Sequence, residues 1–457
     1  MIIKKLKSLQ ETFFENQKTL NVKKRIDYLK KLKKVLKEES QNIFDALYKD
    51  LKKSDFEAFT SETMLVNKEL NIMINNLKQW SKPKRISSSL INFPSKDYLI
   101  PEPYGNILII SPWNYPFQLS LTPLIGAVAA GNTVILKPSE SAPNTSKVID
   151  EIISSIFPEE WVKVIEGDAS TAKKLLKEKW DYIFYTGSTR VGRFVAKAAA
   201  ENLTPTTLEL GGKSPCIIDS SAPIRKTAKR IVWGKFINCG QTCIAPDYIL
   251  VEKNIKTILI NKIIEEIEIA FTKKIENSKD YGRIIHKNHL DKLLKSLKNQ
   301  KIIYGGVNNK KHLYLSPTIV DEPDLNSELM LEEIFGPILP IISYENNDKI
   351  FRIIKNLEKP LAFYVFSKNK DFINLMLNKF SFGGGVVNDT LIQFANINLP
   401  FGGIGASGMG AYHGEHSFKL FSHLKPIVKR SFLFDLPQRF APYPKSIKFL
   451  KFLLNKL

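Results

Sequence analysis

Between residues 106 and 200 the chain alternates two kinds of segment. Asn106-Ile107-Leu108-Ile109-Ile110, Thr133-Val134-Ile135-Leu136, Val162-Lys163-Val164-Ile165 and Tyr182-Ile183-Phe184-Tyr185 are short, nearly unbroken apolar runs that read as strands. Residues 121–130, 146–157 and 192–200 carry apolar side chains at helical spacing. A strand that is apolar at successive positions must be covered on both faces, so this alternation predicts parallel βαβ units with helices on both sides of a sheet. The pattern returns with Cys216-Ile217-Ile218-Asp219, Tyr248-Ile249-Leu250-Val251, a long helix at 255–272, and strands near 361–367 and 385–388. A chain of 457 residues is long enough for more than one domain. The expected fold is α/β, with two doubly wound domains joined near Glu209-Leu210-Gly211-Gly212.

The flanks differ. Residues 1–80 place Leu6, Leu9, Phe13, Ile26, Leu29, Leu32, Val35 and Leu36 at helical spacing among lysines. Residues 81–103 hold Pro83, Pro94, Pro101, Pro103 and three consecutive serines, which fits a strand excursion or arm. No run of eighteen apolar residues exists, so no spanning helix is expected. The first ten residues have lysines but no apolar run behind them, so no leader segment is expected either. Three cysteines exclude a disulfide framework and point to a reducing, cytoplasmic setting. The net charge is +21, yet only ten of the 67 basic residues are arginine. Phosphate recognition favours the guanidinium fork, so this balance reads as solvated lysine faces, and no nucleic-acid partner is expected.

Several residues could carry chemistry, each with a plainer alternative. Cys243 follows Asn238-Cys239-Gly240-Gln241-Thr242; a nucleophilic thiol needs a polar, partly exposed turn, whereas most free cysteines are small buried hydrophobes. Cys239, four residues earlier, could share a helix face with it, but no second pair completes a zinc site, and no metal is expected. Glu209 stands between two leucines, where desolvation would raise its pKa toward that of a general base; the alternative is an exposed strand end. Asn114 lies just after a strand, where doubly wound sheets bind ligands, although asparagine also simply forms turns. Gly187-Ser188-Thr189-Arg190-Val191-Gly192 opens a helix after a strand, a place for phosphate, but Thr189 breaks the dinucleotide fingerprint. Lys137 and Glu140 end another strand, where both could hold a ribose or merely close a turn.

Seven strings in order resemble the aldehyde dehydrogenase superfamily, closest to its class 3 and fatty aldehyde branch. They are Pro112-Trp113-Asn114-Tyr115-Pro116, Lys137-Pro138-Ser139-Glu140, Thr186-Gly187-Ser188-Thr189, Leu208-Glu209-Leu210-Gly211-Gly212-Lys213-Ser214-Pro215, Gly240-Gln241-Thr242-Cys243-Ile244-Ala245-Pro246-Asp247-Tyr248, Glu332-Glu333-Ile334-Phe335-Gly336-Pro337, and Pro400-Phe401-Gly402-Gly403-Ile404-Gly405-Ala406-Ser407-Gly408. The resemblance implies a Rossmann-like cofactor domain, a catalytic domain and a small β arm for oligomerisation. It implies that Cys243 attacks an aldehyde, that Asn114 and the Cys243 N–H hold the oxyanion, and that Glu209 activates water against the resulting thioester. Lys137 and Glu140 would bind the adenosine ribose, the turn of Gly187, Ser188, Thr189, Val191 and Gly192 the pyrophosphate, and Glu333 with Phe335 the nicotinamide ribose and ring. Glu140 on a ribose hydroxyl favours NAD, with NADP also admitted. Tyr115, Trp233, Phe394 and Phe401 would line an apolar tunnel for medium- or long-chain, or aromatic, aldehydes.

The resemblance divides the chain into 1–82 with 104–208 for the cofactor, 209–394 for catalysis, 395–422 as a return segment, and 83–103 with 423–442 as the arm of a homodimer. Residues 443–457 read as a basic amphipathic tail, with Lys448, Lys451 and Asn455 on one face and Ile447, Leu450, Leu453 and Leu454 on the other. Such a tail fits peripheral contact with an anionic membrane, or docking on the protein's own surface.

Overall fold

The structure, a computed structural model, describes residues 2–89, 92, 94–435, 439–443, 446–448 and 451–452. Among them, six strands form one sheet in the order Val162–Val164, Thr133–Lys137, Asn106–Ile110, Tyr182–Thr186, Thr206–Glu209, Gly408–Met409. All neighbours are parallel except the last pair. The unbroken apolar runs are explained by their two faces. Leu108, Ile110, Ile135, Ile183 and Tyr185 pack into one core with Leu6, Leu175 and Val195, while Ile107, Ile109, Val134, Leu136 and Phe184 face the other core. The chain winds outward from Asn106–Ile110 to one side, then returns to start again at Tyr182–Thr186. The order reverses between those two strands, and a crevice opens beyond their carboxyl ends.

A second sheet of seven strands runs Ile302–Tyr304, Thr318–Asp321, Ile338–Tyr344, Tyr248–Glu252, Pro215–Ile218, Ala362–Phe366, Gly384–Val387. It is parallel except at its first pair. The chain leaves the first sheet at Glu209 and enters the second at Pro215. Segments that precede strands of this sheet, rather than follow them, therefore face the crevice of the first.

The helix Gln118–Ala130 is buried at every residue, so it has no polar face. Its exit is closed by Gly131 in the left-handed region and by a buried Arg25, which donates to Ala129 O at 2.5 Å and to Leu20 O at 3.1 Å. The helices Val22–Glu38 and Met64–Trp80 pack on it. In residues 81–103 the expected excursion is a hairpin, Lys84–Ile86 against Ser95–Pro103, and the latter pairs along its whole length with Ser422–Arg430.

One reading needs correction, and several elements were missed. Cys239 and Cys243 do not share a helix face. Cys239 is buried in a single 3-10 turn, Ile237–Gly240, where Asn238, Cys239 and Gly240 have φ of 50°, 53° and 71°, and Cys243 lies beyond it, partly exposed. The helices Ile224–Phe236, Lys287–Ser296, Asn347–Lys355 and Lys370–Lys379 were missed because lysine, arginine or asparagine breaks their apolar runs, the strand Thr318–Asp321 because it is short, and the strand Ile338–Tyr344 because Pro340 stands within it. In the tail, Lys448, Lys451 and Phe452 are helical, while Leu450, Leu453, Leu454 and Asn455 lie outside the described residues. Among the described residues no helix is long and apolar enough to cross a membrane.

Arg25→Leu should lower the unfolding free energy by about 1–3 kcal/mol, since it strips a charged donor from buried carbonyls. Denaturant midpoints read this directly, and an unchanged midpoint would show that the helix exit does not depend on Arg25.

Candidate active site

The loop after Asn106–Ile110 carries Pro112, Trp113 and Asn114, and the loop after Tyr182–Thr186 carries Gly187, Ser188, Thr189 and Arg190. Both line a cavity of about 590 Å³, together with Glu209, Gly211, Cys243, His289, Glu333 and Phe335. A second cavity of about 240 Å³ is lined by Met64, Leu65, Tyr115, Leu119, Trp233, Ile237, Phe394 and again Cys243. Cys243 and Leu119 therefore stand in the wall between the larger, more polar chamber and the apolar one.

Burial pushes the Cys243 thiol up, and the carboxyls of Glu333 and Glu209 push it further; its own N–H and that of Ile244 pull the other way. Glu209 ends its strand facing the polar chamber. It is buried, and neither carboxylate oxygen has a hydrogen-bond partner among the described residues. Desolvation alone drives its pKa well above the ordinary range. Asn114 is 2% exposed, and one proton of its side-chain amide is committed to Gln241 O at 3.0 Å. The amide has a second proton to donate.

The helix Thr189–Glu201 starts at the chamber with Ser188 as its cap and no acidic residue in its first turn, so its free N–H groups favour an anion. Gly187 leaves no room for a side chain, because a Cβ would lie 2.3 Å from the Tyr185 hydroxyl. Gly192 lets the same helix approach Leu210, which would be 2.7 Å from a Cβ. Val191 donates its N–H to the Ser188 hydroxyl and does not line the chamber. Lys137 and Glu140 are ion-paired at 2.6 Å, where the neighbouring strand ends, with Lys137 buried and Glu140 exposed. They too lie outside the chamber's lining.

Glu333 packs against backbone: a Cβ on Gly211 would lie 2.0 Å from its carboxylate. Desolvation, then the nearby Asp247 charge, raises its pKa to about 8, although the Gly212 N–H and the Lys213 and Lys235 charges oppose this. Phe335 has φ 52°, stands edge-on to Trp113 at 5.3 Å, and its carbonyl is 2.8 Å from His289 Nε2. Of the four expected tunnel aromatics, Tyr115, Trp233 and Phe394 line the apolar chamber. Phe401 is corrected: it packs edge-on behind Phe394, at 4.7 Å, and does not reach the wall.

Sequence reasoning missed what holds the 329–335 segment. Lys213 is buried and bonds Asp247 Oδ2 at 2.5 Å, Leu329 O at 2.7 Å and Glu332 O at 2.9 Å, while Ile334 N–H donates to Asp247 Oδ1. It also missed His289 and the fully buried Lys235, whose Nζ lacks a hydrogen-bond partner among the described residues. Buried charges outside apolar periodicity are the signal that could have found the lysines; nothing local marks His289.

The fit to a dinucleotide rests on this chain's own shape. A chamber of this size has glycine-lined walls, an uncapped-by-charge helix N-terminus at one side, and a buried carboxyl seated on Gly211 at the other.

A model of the aldehyde dehydrogenase family matches residues 4–427. The chain is 44% identical to 4,4'-diaponeurosporen-aldehyde dehydrogenase of Staphylococcus aureus over 96% of each chain. It is 42% identical to aldehyde dehydrogenase family 3 member A2 of Mus musculus, over 97% of this chain and 92% of that one. A solved structure of S. aureus AldH in its substrate-bound state superposes with a TM-score of 0.97 at 43% identity, covering 99% of this chain and all of that one.

A raised thiol pKa means less thiolate at any given pH. Alkylation of Cys243 by iodoacetamide in the cofactor-free protein should be slow at neutral pH. It should climb without a plateau past about pH 9, where a free thiol of pKa about 8.5 is levelling off. A plateau near neutrality would reveal a thiolate and contradict the burial argument.

Proposed function

Because the chain belongs to the aldehyde dehydrogenase family and is an enzyme that oxidises aldehydes with NAD or NADP, we propose that its substrate is an apolar aldehyde, medium- or long-chain or aromatic, oxidised to the acid on Cys243. One observation supports this reading: Cys243, with Leu119, lies in the wall shared by the polar chamber and the apolar one. The aldehyde's tail would lie among Met64, Leu65, Trp233 and Phe394, with its carbonyl at the sulfur.

Cys243 and Glu209 share one problem, since burial opposes charge on both, and the Glu209 charge further opposes a thiolate at Cys243. Cys243 therefore reacts through its small thiolate fraction, the thiol proton passing to solvent, and Glu209 is kept for the later hydrolysis. The thiolate adds to the carbonyl carbon. The C–S bond forms, and the oxygen takes the electron pair beside the second Asn114 Nδ2 proton and the Cys243 N–H. When bound, the nicotinamide supplies the hydride acceptor. Loss of hydride from the carbon restores C=O as a thioester. The sulfur carries no charge in the thioester, so Glu209 no longer faces a thiolate and gives up its own proton to solvent more readily. It takes a proton from water, whose oxygen bonds to the carbonyl carbon as the C–S bond breaks. The acid leaves and Cys243 returns.

Glu333 on Gly211 is assigned to the nicotinamide ribose, and Phe335 to the ring. The first turn of Thr189–Glu201, with Gly187, Ser188, Val191 and Gly192, is assigned to the pyrophosphate. Lys137 and Glu140 are assigned to the adenosine ribose, which places NAD first. The proposed division is 1–82 with 104–208 for the cofactor, 209–394 for catalysis, and 395–422 as the return segment. A homodimer is supported by open edges: Ser422–Arg430 bounds the three-stranded sheet and Gly384–Val387 the seven-stranded one. Long bare edges are templates for pairing. Exposed Phe432, Leu433, Tyr443 and Ile447 near the end of the chain support a surface contact there, with a membrane or a partner subunit.

The test is nicotinamide reduction with short aliphatic, long-chain and aromatic aldehydes. Turnover should favour the apolar aldehydes and vanish in Cys243→Ala. Glu209→Gln should keep a single burst of reduced cofactor and lose about 10²–10⁴-fold in steady turnover, the usual worth of a positioned base. Full turnover in Glu209→Gln, or activity confined to small polar aldehydes, would overturn the corresponding part.

A further inference from the structure

Two fully buried charges stand behind the site and line neither chamber. Lys53 follows the helix Ser40–Leu51, and Glu62 sits in the π-helical turn Phe59–Thr63. Lys53 Nζ and Glu62 Oε1 are 2.6 Å apart, and neither side chain has any solvent exposure. A buried pair of this kind is a poor stabiliser, because desolvation cancels much of its attraction and apolar replacement of both members is often neutral. Its remaining contacts point to another use.

Each member grips one end of the loop that carries Asn114. Glu62 Oε2 accepts the N–H of Phe117 at 3.1 Å and of Gln118 at 2.9 Å, at the start of a helix that has no side-chain cap of its own. Lys53 Nζ donates to Asn114 O at 3.0 Å and stands 4.0 Å from the centre of the Tyr115 ring. The Tyr115 hydroxyl is 2.7 Å from Thr242 Oγ1, one residue before Cys243. Asn238 Nδ2 donates to the same Asn114 carbonyl at 2.7 Å, and the Asn238 N–H donates to Glu57 Oε1 at 2.9 Å. The Asn114 amide and the Cys243 turn are thus tied to one another and, through Lys53 and Glu62, to the N-terminal helices.

We infer that Lys53 and Glu62 are positioning residues for the reaction: they lock residues 114–118 so that the free proton of the Asn114 amide meets the oxyanion on the Cys243 adduct. This rests on the reading of Asn114 as the oxyanion donor. Neither residue touches substrate or cofactor, so each acts only through the loop. Misplacement of a reacting group by about 1 Å costs on the order of 10²-fold in rate, similar to the loss of one oxyanion donor.

The experiment is a double-mutant cycle. The pair is replaced together, Lys53→Met with Glu62→Leu, so that neither member is left buried without the other, and the change is crossed with Asn114→Ala. For each protein, kcat, KM, cofactor affinity and the rate of Cys243 alkylation are measured. Asn114→Ala should lower kcat about 10²-fold, and the pair replacement by a similar factor. Cofactor affinity and alkylation should stay within about threefold, and the triple variant should be little worse than Asn114→Ala, because the effects share one route. Lys53→Arg, which keeps charge and donor, should recover most of the rate. Normal kcat in the folded pair variant would overturn the inference, and so would losses that multiply. Normal kcat in Asn114→Ala would instead overturn the reading of Asn114. Should the pair variant fail to fold, the same cycle run with Lys53→Gln, whose amide still donates to Glu62, decides by the same outcomes.

Discussion

A buried carboxyl with no hydrogen-bond partner for either oxygen among the described residues is the constraint around which this structure is arranged. Glu209 lies at the end of a strand, in the lining of the chamber that Cys243 also lines. Desolvation of such a group costs stability, and it is tolerated at sites where the chemistry needs a base stronger than an exposed carboxylate. The same burial acts on Cys243 and Glu333, so three acidic groups share a space that accommodates little charge. The Glu333 and Glu209 charges both oppose a thiolate at Cys243, and in the proposed reaction a neutral thioester would relieve that opposition.

The frame that permits this is the meeting of two sheets in opposite senses. The first presents the carboxyl ends of its strands, which bring Asn114 and the 186–190 turn. The second presents the amino ends, which bring Gly211, Cys243, Glu333 and Phe335 ahead of their strands. Between them the backbone comes unusually close, at Gly211 under Glu333 and at Gly240, where a Cβ would lie 2.4 Å from the Gly336 carbonyl. Lys213 with Asp247 fixes the 329–334 segment from below, and Lys53 with Glu62 fixes the 114–118 loop from the other side. Buried ion pairs thus serve geometry here, at sites where their contribution to stability is small.

Much of the first sheet was legible because its central strands are covered on both faces, so their apolar runs have no polar interruption. Asn114 was legible for a related reason: a polar residue just beyond such a strand sits at the crevice by the rule of doubly wound sheets. That rule says nothing of residues that precede strands, and Cys243 and Glu333 are of that kind. They were reached through a family resemblance, where local chemistry left Cys243 open as an ordinary buried thiol. Phe401 was misplaced because an aromatic near a site in sequence can pack one layer behind it, and spacing does not separate the two. The Lys53–Glu62 clamp was out of reach for another reason. Its partners come from residues 53 to 118, and nothing in a lysine or glutamate within a helical stretch announces burial.

The most direct measurement is the mass of the peptide containing Cys243 after the Glu209→Gln protein is given NAD and a long-chain aldehyde and then quenched in acid. A thiol that carries the acyl group should gain the mass of the aldehyde less two hydrogens, in step with the reduced cofactor formed. Reduced cofactor without that adduct, or the adduct on another residue, would contradict a mechanism in which Cys243 divides the two chambers and holds the thioester.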